Sequence, residues 1–437
     1  MALGFSKLPQ RAVSTALIVL LGAASAQAQL GAVLAGAGPI NGAMGGISAA
    51  PVDSLGALYW NPAVISGLKA SEMEVGAELL STRSNLSSSL PANAFGPSVP
   101  PTGLLGSTNS SNGISPLPAI GLVYQPKDSI LTYGFGMLAA GGFGVNYPAS
   151  TTNPVLTPRP PLGVGQGPIY SSFQLMQIVP TISVQLTERL SFGFAPTIDL
   201  GFLSADPGLM FAPTASGYPA ATHGETTWGA GFQTGLYYAL PAGWHFGVSL
   251  KSPQWLDSFQ FQNVNSLGQP ETLKTRVDFP LIASAAVAYT GFDRWTLGAD
   301  LREIDYNNTP GFSHTGFDST GAVRGLGWKN VFVLALGAQY RLADPLFLRI
   351  GYTYNTDPIP AANAIFNVAT PVVMQHAIYL GGSFEINKRF LLSAAYTHVF
   401  ENSIQGPLLS TNGPIPGASV QDSAWGDAYL MGATVKF

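Results

Sequence analysis

The stretch Leu190-Ser191-Phe192-Gly193-Phe194-Ala195-Pro196-Thr197-Ile198-Asp199-Leu200-Gly201-Phe202-Leu203 changes character at every second residue. Successive side chains of an extended strand point to opposite faces. Leu190, Phe192, Phe194, Ile198, Leu200 and Phe202 therefore share one face, and Ser191, Gly193, Ala195, Thr197, Asp199 and Gly201 the other. Composition indicates what each face meets. Only 10% of the 437 residues are charged, against roughly 25% in typical soluble chains, while the hydrophobic share of 46% is ordinary. A soluble surface needs charge, so a chain that lacks it has another solvent. No apolar run long enough for a membrane helix follows the N-terminal region. Backbone groups in lipid must then be paired between strands, which requires a closed β-barrel, apolar toward lipid and small or polar toward the lumen.

The same period recurs along the chain. Met73, Val75, Ala77 and Leu79 alternate with Glu72, Glu74, Gly76 and Glu78. Trp244, Phe246, Val248 and Leu250 alternate with His245, Gly247, Ser249 and Lys251, and Trp295, Leu297, Ala299 and Leu301 with Thr296, Gly298, Asp300 and Arg302. Fourteen such runs are expected, near 71–87, 117–125, 130–142, 173–186, 190–203, 226–240, 244–262, 272–290, 295–307, 328–342, 346–357, 374–386, 390–402 and 427–437. Tight connections such as Pro126-Lys127-Asp128 and Thr187-Glu188-Arg189 alternate with long ones near 88–116, 143–172, 204–225, 308–327, 358–373 and 403–426. An even strand number with short turns on one side and long loops on the other is the outer-membrane rule, with the short turns periplasmic. The last strand places Tyr429, Met431, Ala433, Val435 and Phe437 on one face and reads as the strand that closes the barrel. Trp244, Tyr289, Trp295, Tyr340 and Phe390 lie beside the short turns and suit an interfacial belt. The expected fold is an all-β transmembrane protein, a 14-stranded antiparallel outer-membrane barrel.

The N-terminus reads as a secretory signal over 1–28. Lys7 and Arg11 precede an apolar run, and Ala26-Gln27-Ala28 is a small-residue cleavage site. The run of about 13 residues is short of the ~20 that span a bilayer. Residues 29–70 form no alternating strand. Within them, Pro-Val-Asp-Ser-Leu-Gly-Ala-Leu-Tyr-Trp-Asn-Pro-Ala-Val-Ile-Ser-Gly-Leu at 51–68 is apolar and interrupted by proline and glycine. Pro62 biases Asn61 away from helix and toward an extended or turn conformation. The stretch is expected as a compact irregular piece inside the lumen, a hatch, with 71–437 as the barrel around it. The third strand carries Gly141, Gly142 and Gly144 where the wall should continue. Glycine there marks either a strand end in a loop or a bulge that opens the wall sideways.

These parts together resemble the FadL/TodX family of outer-membrane transporters for long-chain fatty acids and hydrocarbons. The resemblance rests on Gly45-Gly46, then Asp53, then Tyr59-Trp60-Asn61-Pro62-Ala63, just before the first strand. The chain has one acidic residue, Asp53, where the family often has two. The resemblance implies a hatch carrying Asp53, Tyr59, Trp60, Asn61, Pro62 and Ala63, an internal apolar pocket, and hatch movement that opens a lateral exit at the third-strand kink. Its partners are a hydrophobic small molecule and outer-membrane lipid, and a monomer is expected.

Other chemistry finds little support. There are no cysteines, so no disulfide or thiolate site. A net charge of −4 gives no basic face for nucleic acid. The five histidines form no recognisable triad or His-Glu-x-x-His motif, and the chain is read as no enzyme, with neither metal nor cofactor. Lys251, Arg302 and Arg349 are either part of an internal polar network or anchors for a fatty-acid carboxylate. Two functions follow from the whole: passive uptake of a hydrophobic compound, or a barrel scaffold for other envelope proteins.

Overall fold

The computed structural model describes residues 30–96, 102–160, 162–214, 217–264 and 268–437. The expected signal peptide, 1–28, lies outside the described residues. Fourteen antiparallel strands form the wall: β1 Glu72–Leu90, β2 Ile114–Tyr124, β3 Leu131–Tyr147, β4 Ile169–Gln185, β5 Leu190–Asp206, β6 Ala221–Ala239, β7 Trp244–Lys251, β8 Leu281–Phe292, β9 Trp295–Asp305, β10 Val331–Ala343, β11 Leu346–Asn355, β12 His376–Glu385, β13 Phe390–Ser410 and β14 Gly413–Lys436. The barrel closes where β14 pairs with β1, in register from Glu72 opposite Lys436 to Ser89 opposite Ser419. This seam joins the first and last strands, as a strand wall in lipid requires.

The faces follow the alternation. On β5, Phe192, Phe194 and Ile198 point outward and are 38%, 39% and 45% exposed, while Ser191, Thr197 and Asp199 are buried in the lumen. At the short-turn end Trp244 meets Tyr289 (ring centroids 4.7 Å apart) and Trp295 meets Tyr340 (4.6 Å). Phe437 ends the chain outward, with its N–H on Ser71 O at 3.0 Å.

Three expectations change. The run at 244–262 breaks at Lys251, ahead of Pro253. Trp255 and Leu256 then pair with Ala230 and Gly229 of β6, and Gln254 forms an isolated bridge to Phe279. The first part of 272–290 belongs to a separate hairpin, Phe259–Val264 with Pro270–Thr275, and β8 begins only at Leu281. The connection at 403–426 is not a loop. It is the upper half of the β13–β14 hairpin, and Leu104–Asn109 likewise extends the sheet beside β1. Above the lipid these strands carry serine and asparagine on both faces, as in the Ser87–Ser107 and Ser89–Ser419 hydroxyl pairs at 2.9 Å. The hydrophobic period stops at the membrane boundary, but the backbone ladder does not.

Residues 30–70 fill the lumen, and nearly all are buried. They include helix α1, Gly38–Ala43, helix α2, Ser54–Trp60, and a 3-10 turn, Pro62–Gly67. The chain is first seen against β3, high in the barrel, and descends to enter β1 at the short-turn end. The short helix α1 falls in the Gly- and Ala-rich stretch that reads as short helix or coil, while α2 is more regular than the irregular piece expected at 51–68. A helix enclosed on all sides shows no amphipathic stripe, and Ser54 to Trp60 are buried at every position.

Candidate functional site

The hatch is built on two side-chain caps. Asp53 is the N-cap of α2 and accepts from Gly56 N–H at 2.8 Å. Burial pushes its carboxyl up to about 6, against the opposing pull of the Gly56 N–H and the Arg349 charge. Asn61 ends α2 in an extended conformation (φ −148°, ψ 105°), as its place before proline demands. Its Oδ1 accepts from Ala63 N–H at 3.1 Å and so starts the 3-10 turn, where Pro62 stands at the first position. Its Nδ2 donates to Leu236 O (3.1 Å) on β6 and Val248 O (3.4 Å) on β7. One amide thus joins two helical turns to two wall strands. The wall makes room with lumen-facing glycines. A Cβ on Gly235 would stand 2.1 Å from Asn61 Oδ1, and one on Gly193 2.2 Å from Ala63 N.

Tyr59 and Trp60 meet the lumenal cations. Tyr59 donates its hydroxyl toward Leu34 O (3.1 Å) and Ala140 O (2.9 Å), with Lys251 Nζ 4.4 Å above its ring. Arg302 lies 3.8 Å over the Trp60 ring, pairs with Asp300 at 2.8 Å and donates to Gly46 O. Asp300 in turn accepts from Ser48 N–H at 3.0 Å. Arg349 donates to Gln339 Oε1 (2.7 Å) and Ser383 Oγ (2.5 Å) below Asp53. Of the three cations considered as carboxylate anchors, the structure places Lys251 and Arg302 against the hatch and Arg349 at the periplasmic mouth. All three are buried. Removing one partner from a buried pair such as Arg302–Asp300 costs about 3–5 kcal/mol.

The glycines of β3 lie within a continuous strand. The register with β4 shifts between Ala139 and Gly141, and β3 continues to Tyr147. Pairing with β2 stops at Leu138 opposite Ala119. Higher up, β3 is met only by side chains and turns, such as Asn112 Nδ2 on Gly144 O at 2.7 Å. Between these points the wall has no second strand among the described residues. Residues 30–34 fill the break from inside: Gly142 N–H bonds Ala32 O at 2.9 Å, and Leu34 N–H bonds Ala140 O at 3.2 Å. A Cβ on Gly141 would come 1.9 Å from Ala32 O, so only glycine admits this segment. Sequence reasoning missed Pro116 and Pro118 on the facing stretch of β2. Proline in a sheet belongs to an unpaired edge, and that spacing was the available signal.

Two larger cavities flank the hatch. Under the extracellular loops lies one of about 210 Å³, lined by Leu90, Phe95, Val155, Leu209, Phe366 and Leu408 among others, with no charged side chain in its lining among the described residues. Arg159 sits beside it, bonded to the carbonyls of Gln166 and Tyr218 and paired with Asp206 at 3.0 Å. The other cavity, about 440 Å³, is the polar periplasmic mouth, where Lys69, Arg294, Arg341, Arg349 and Lys436 gather.

Comparison with known proteins gives the same architecture. Residues 17–437 match the family described as outer membrane protein transport protein (OMPP1/FadL/TodX). Among solved structures, the toluene transporter TodX of Pseudomonas putida is 18% identical, with 92% of this chain and 99% of that one aligned at a TM-score of 0.64. A FadL homologue from Pseudomonas aeruginosa is 15% identical over 93% of this chain and 100% of its own, at 0.69. The toluene transporter TbuX of Ralstonia pickettii is 18% identical over 92% and 99%, at 0.64. An outer membrane protein of Neisseria meningitidis serogroup B is 29% identical over 75 residues, a match that spans 17% of this chain and 16% of that protein.

Proposed function

Because the chain belongs to the outer membrane protein transport protein family (OMPP1/FadL/TodX), the outer-membrane barrels that carry hydrophobic substrates, we propose a route for its own cargo. An uncharged apolar molecule is captured in the cavity under the loops, passes beside the hatch, and leaves sideways between β2 and β3 into lipid. The observation that carries this reading is the seal on the wall. At Gly141 and Gly142 the barrel is closed by its own residues 30–34, through two backbone hydrogen bonds, and not by a neighbouring strand. Such a seal can leave while every strand ladder stays paired. An apolar solute gains nothing from a watery pore, and a side door delivers it to lipid without crossing water.

The lining supports a neutral cargo over a fatty-acid anion. A cavity of about 150 Å³ lined by aliphatic and aromatic side chains is enough to hold benzene, and this one is about 210 Å³. Among the described residues a carboxylate there would find no free cation: Arg159 is taken up by Asp206, and Lys251, Arg302 and Arg349 lie deeper, against the hatch or below it. The test is uptake of radiolabelled toluene and of radiolabelled oleate at pH 8, by cells whose only apolar transporter is this chain. Toluene uptake with oleate at background is expected. Oleate uptake alone would overturn the neutral cargo, and uptake of neither would overturn transport itself.

A further inference from the structure

Tyr306, one residue beyond β9, belongs to no motif, yet it joins the two ends of this route. Its ring is fully buried in an aromatic cluster, 5.1 Å from Phe312 and 4.8 Å from Trp328 between centroids, with Phe143 of β3 6.2 Å from Phe312. Its hydroxyl makes two hydrogen bonds to the segment that seals the wall: it accepts from Ala32 N–H at 2.7 Å and donates to Leu30 O at 3.0 Å. Gly31, at φ +67°, lies flat on the ring, where a Cβ would come 2.6 Å from that hydroxyl. The segment is thus held by the β3 backbone, by the Tyr59 hydroxyl at Leu34 O, and at its outer end, residues 30–32, by the Tyr306 phenol.

The other side of the cluster reaches the loop cavity. Trp328 Nε1 donates to Asn367 Oδ1 at 2.6 Å. Asn367 ends the 3-10 turn Ala361–Asn367, whose Ile365 and Phe366 line that cavity. Cavity, turn, Trp328, Tyr306 and residues 30–32 form one unbroken series of contacts.

We propose that Tyr306 is the latch of the gate, a positioning residue whose hydroxyl sets how often residues 30–34 leave the break in β3 and whose ring couples that event to occupancy of the loop cavity. The proposal rests on the lateral-exit reading above, and its test separates the two. The chain has no cysteine, so Val33→Cys, which replaces a fully buried side chain at the break, supplies a single thiol. Its reaction with a polar maleimide reports exit of the segment in the purified barrel, whether or not transport occurs.

Tyr306→Phe keeps the ring and removes both hydrogen bonds. Each such bond is worth a few-fold in an opening equilibrium, so labelling is expected to speed up on the order of tenfold, with the heat-modifiable band of the folded barrel retained. Saturating toluene should accelerate labelling of the parent but add little to Tyr306→Phe. A purely structural tyrosine would not produce that loss of response. If Tyr306→Phe does not fold, Gly31→Ala pushes the segment off the same hydroxyl from the hatch side and should give the same acceleration. Labelling at the parent rate in either folded variant, or equal acceleration by toluene with and without the hydroxyl, would overturn the latch.

Discussion

Asp53 and Asn61 each cap a helical turn through one side-chain oxygen, contributions of about 1 kcal/mol apiece. Asp53 does so as a buried carboxyl pushed up to about 6, above its ordinary 3.8. A raised pKa means that the docked hatch binds the proton more tightly than the free segment. The Asp53 contribution to docking is then fully present below pH ~4 and is lost as pH rises through about 6. Arg349, Glu72 and Glu74 face the same carboxyl, and Arg349 tempers the effect. Hydrogen exchange of the amides at 54–60, corrected for intrinsic rates, should show greater protection at pH 4.5 than at pH 7. Asn at position 53 keeps the cap, and Asp53→Asn should erase that part of the difference, on the order of 2 kcal/mol. Protection of the parent that rises with pH would contradict the assignment. At this scale the sequence was informative where a residue's own chemistry decides its geometry, as with Asn61 before Pro62. It was silent on Tyr306, whose partners Ala32 and Leu30 lie 274 and 276 positions away.

Among the elements, the strands were legible because lipid imposes a period of two. Their outward faces carry the large apolar residues and their inward faces the small and polar ones. The period failed wherever lipid was absent. It missed the upper halves of β13 and β14, where polar residues, glycine and proline interrupt the apolar alternation, and it missed α2, which is enclosed all round. It also merged β7 with the inward-turning chain after Pro253, because both are apolar on alternate residues. The assignment of faces has a measurable consequence. Phe194 lies on the outward face of β5 four residues in from Leu190 at its periplasmic end, near the middle of a membrane crossing of about 10 residues. Phe194→Arg should cost about 2–4 kcal/mol of folding free energy in lipid vesicles, and Leu190→Arg about 0–1. Urea titration of the two variants decides this, and equal costs would contradict the placement of β5 in the bilayer.

For the whole molecule, the barrel and the hatch do opposite things. The wall is held by strand ladders on every seam, interrupted at the break between β2 and β3, and its β14–β1 seam runs from Glu72 to Ser89. The hatch is docked by caps, cation–aromatic contacts and glycine-sized clearances, each of them local. The proposed route asks only that these local contacts yield, with the strand ladders of the wall kept. The resemblance in the sequence pointed to that division, through Asn61-Pro62-Ala63 and the glycines of β3. The way residues 30–34 close the wall needed three dimensions, since it joins two stretches that share no pattern.

The most direct test is to close the gap reversibly. Leu117 on β2 and Ala139 on β3 line one narrow crevice at the break, beside Leu34 of the hatch. With Leu117→Cys and Ala139→Cys in a chain free of other thiols, a short bis-thiosulfonate can bridge the two strands. Toluene uptake should fall to background when the bridge is formed and return when it is reduced, with the folded barrel intact throughout. Uptake that persists at full rate across the bridged gap would contradict lateral exit between β2 and β3.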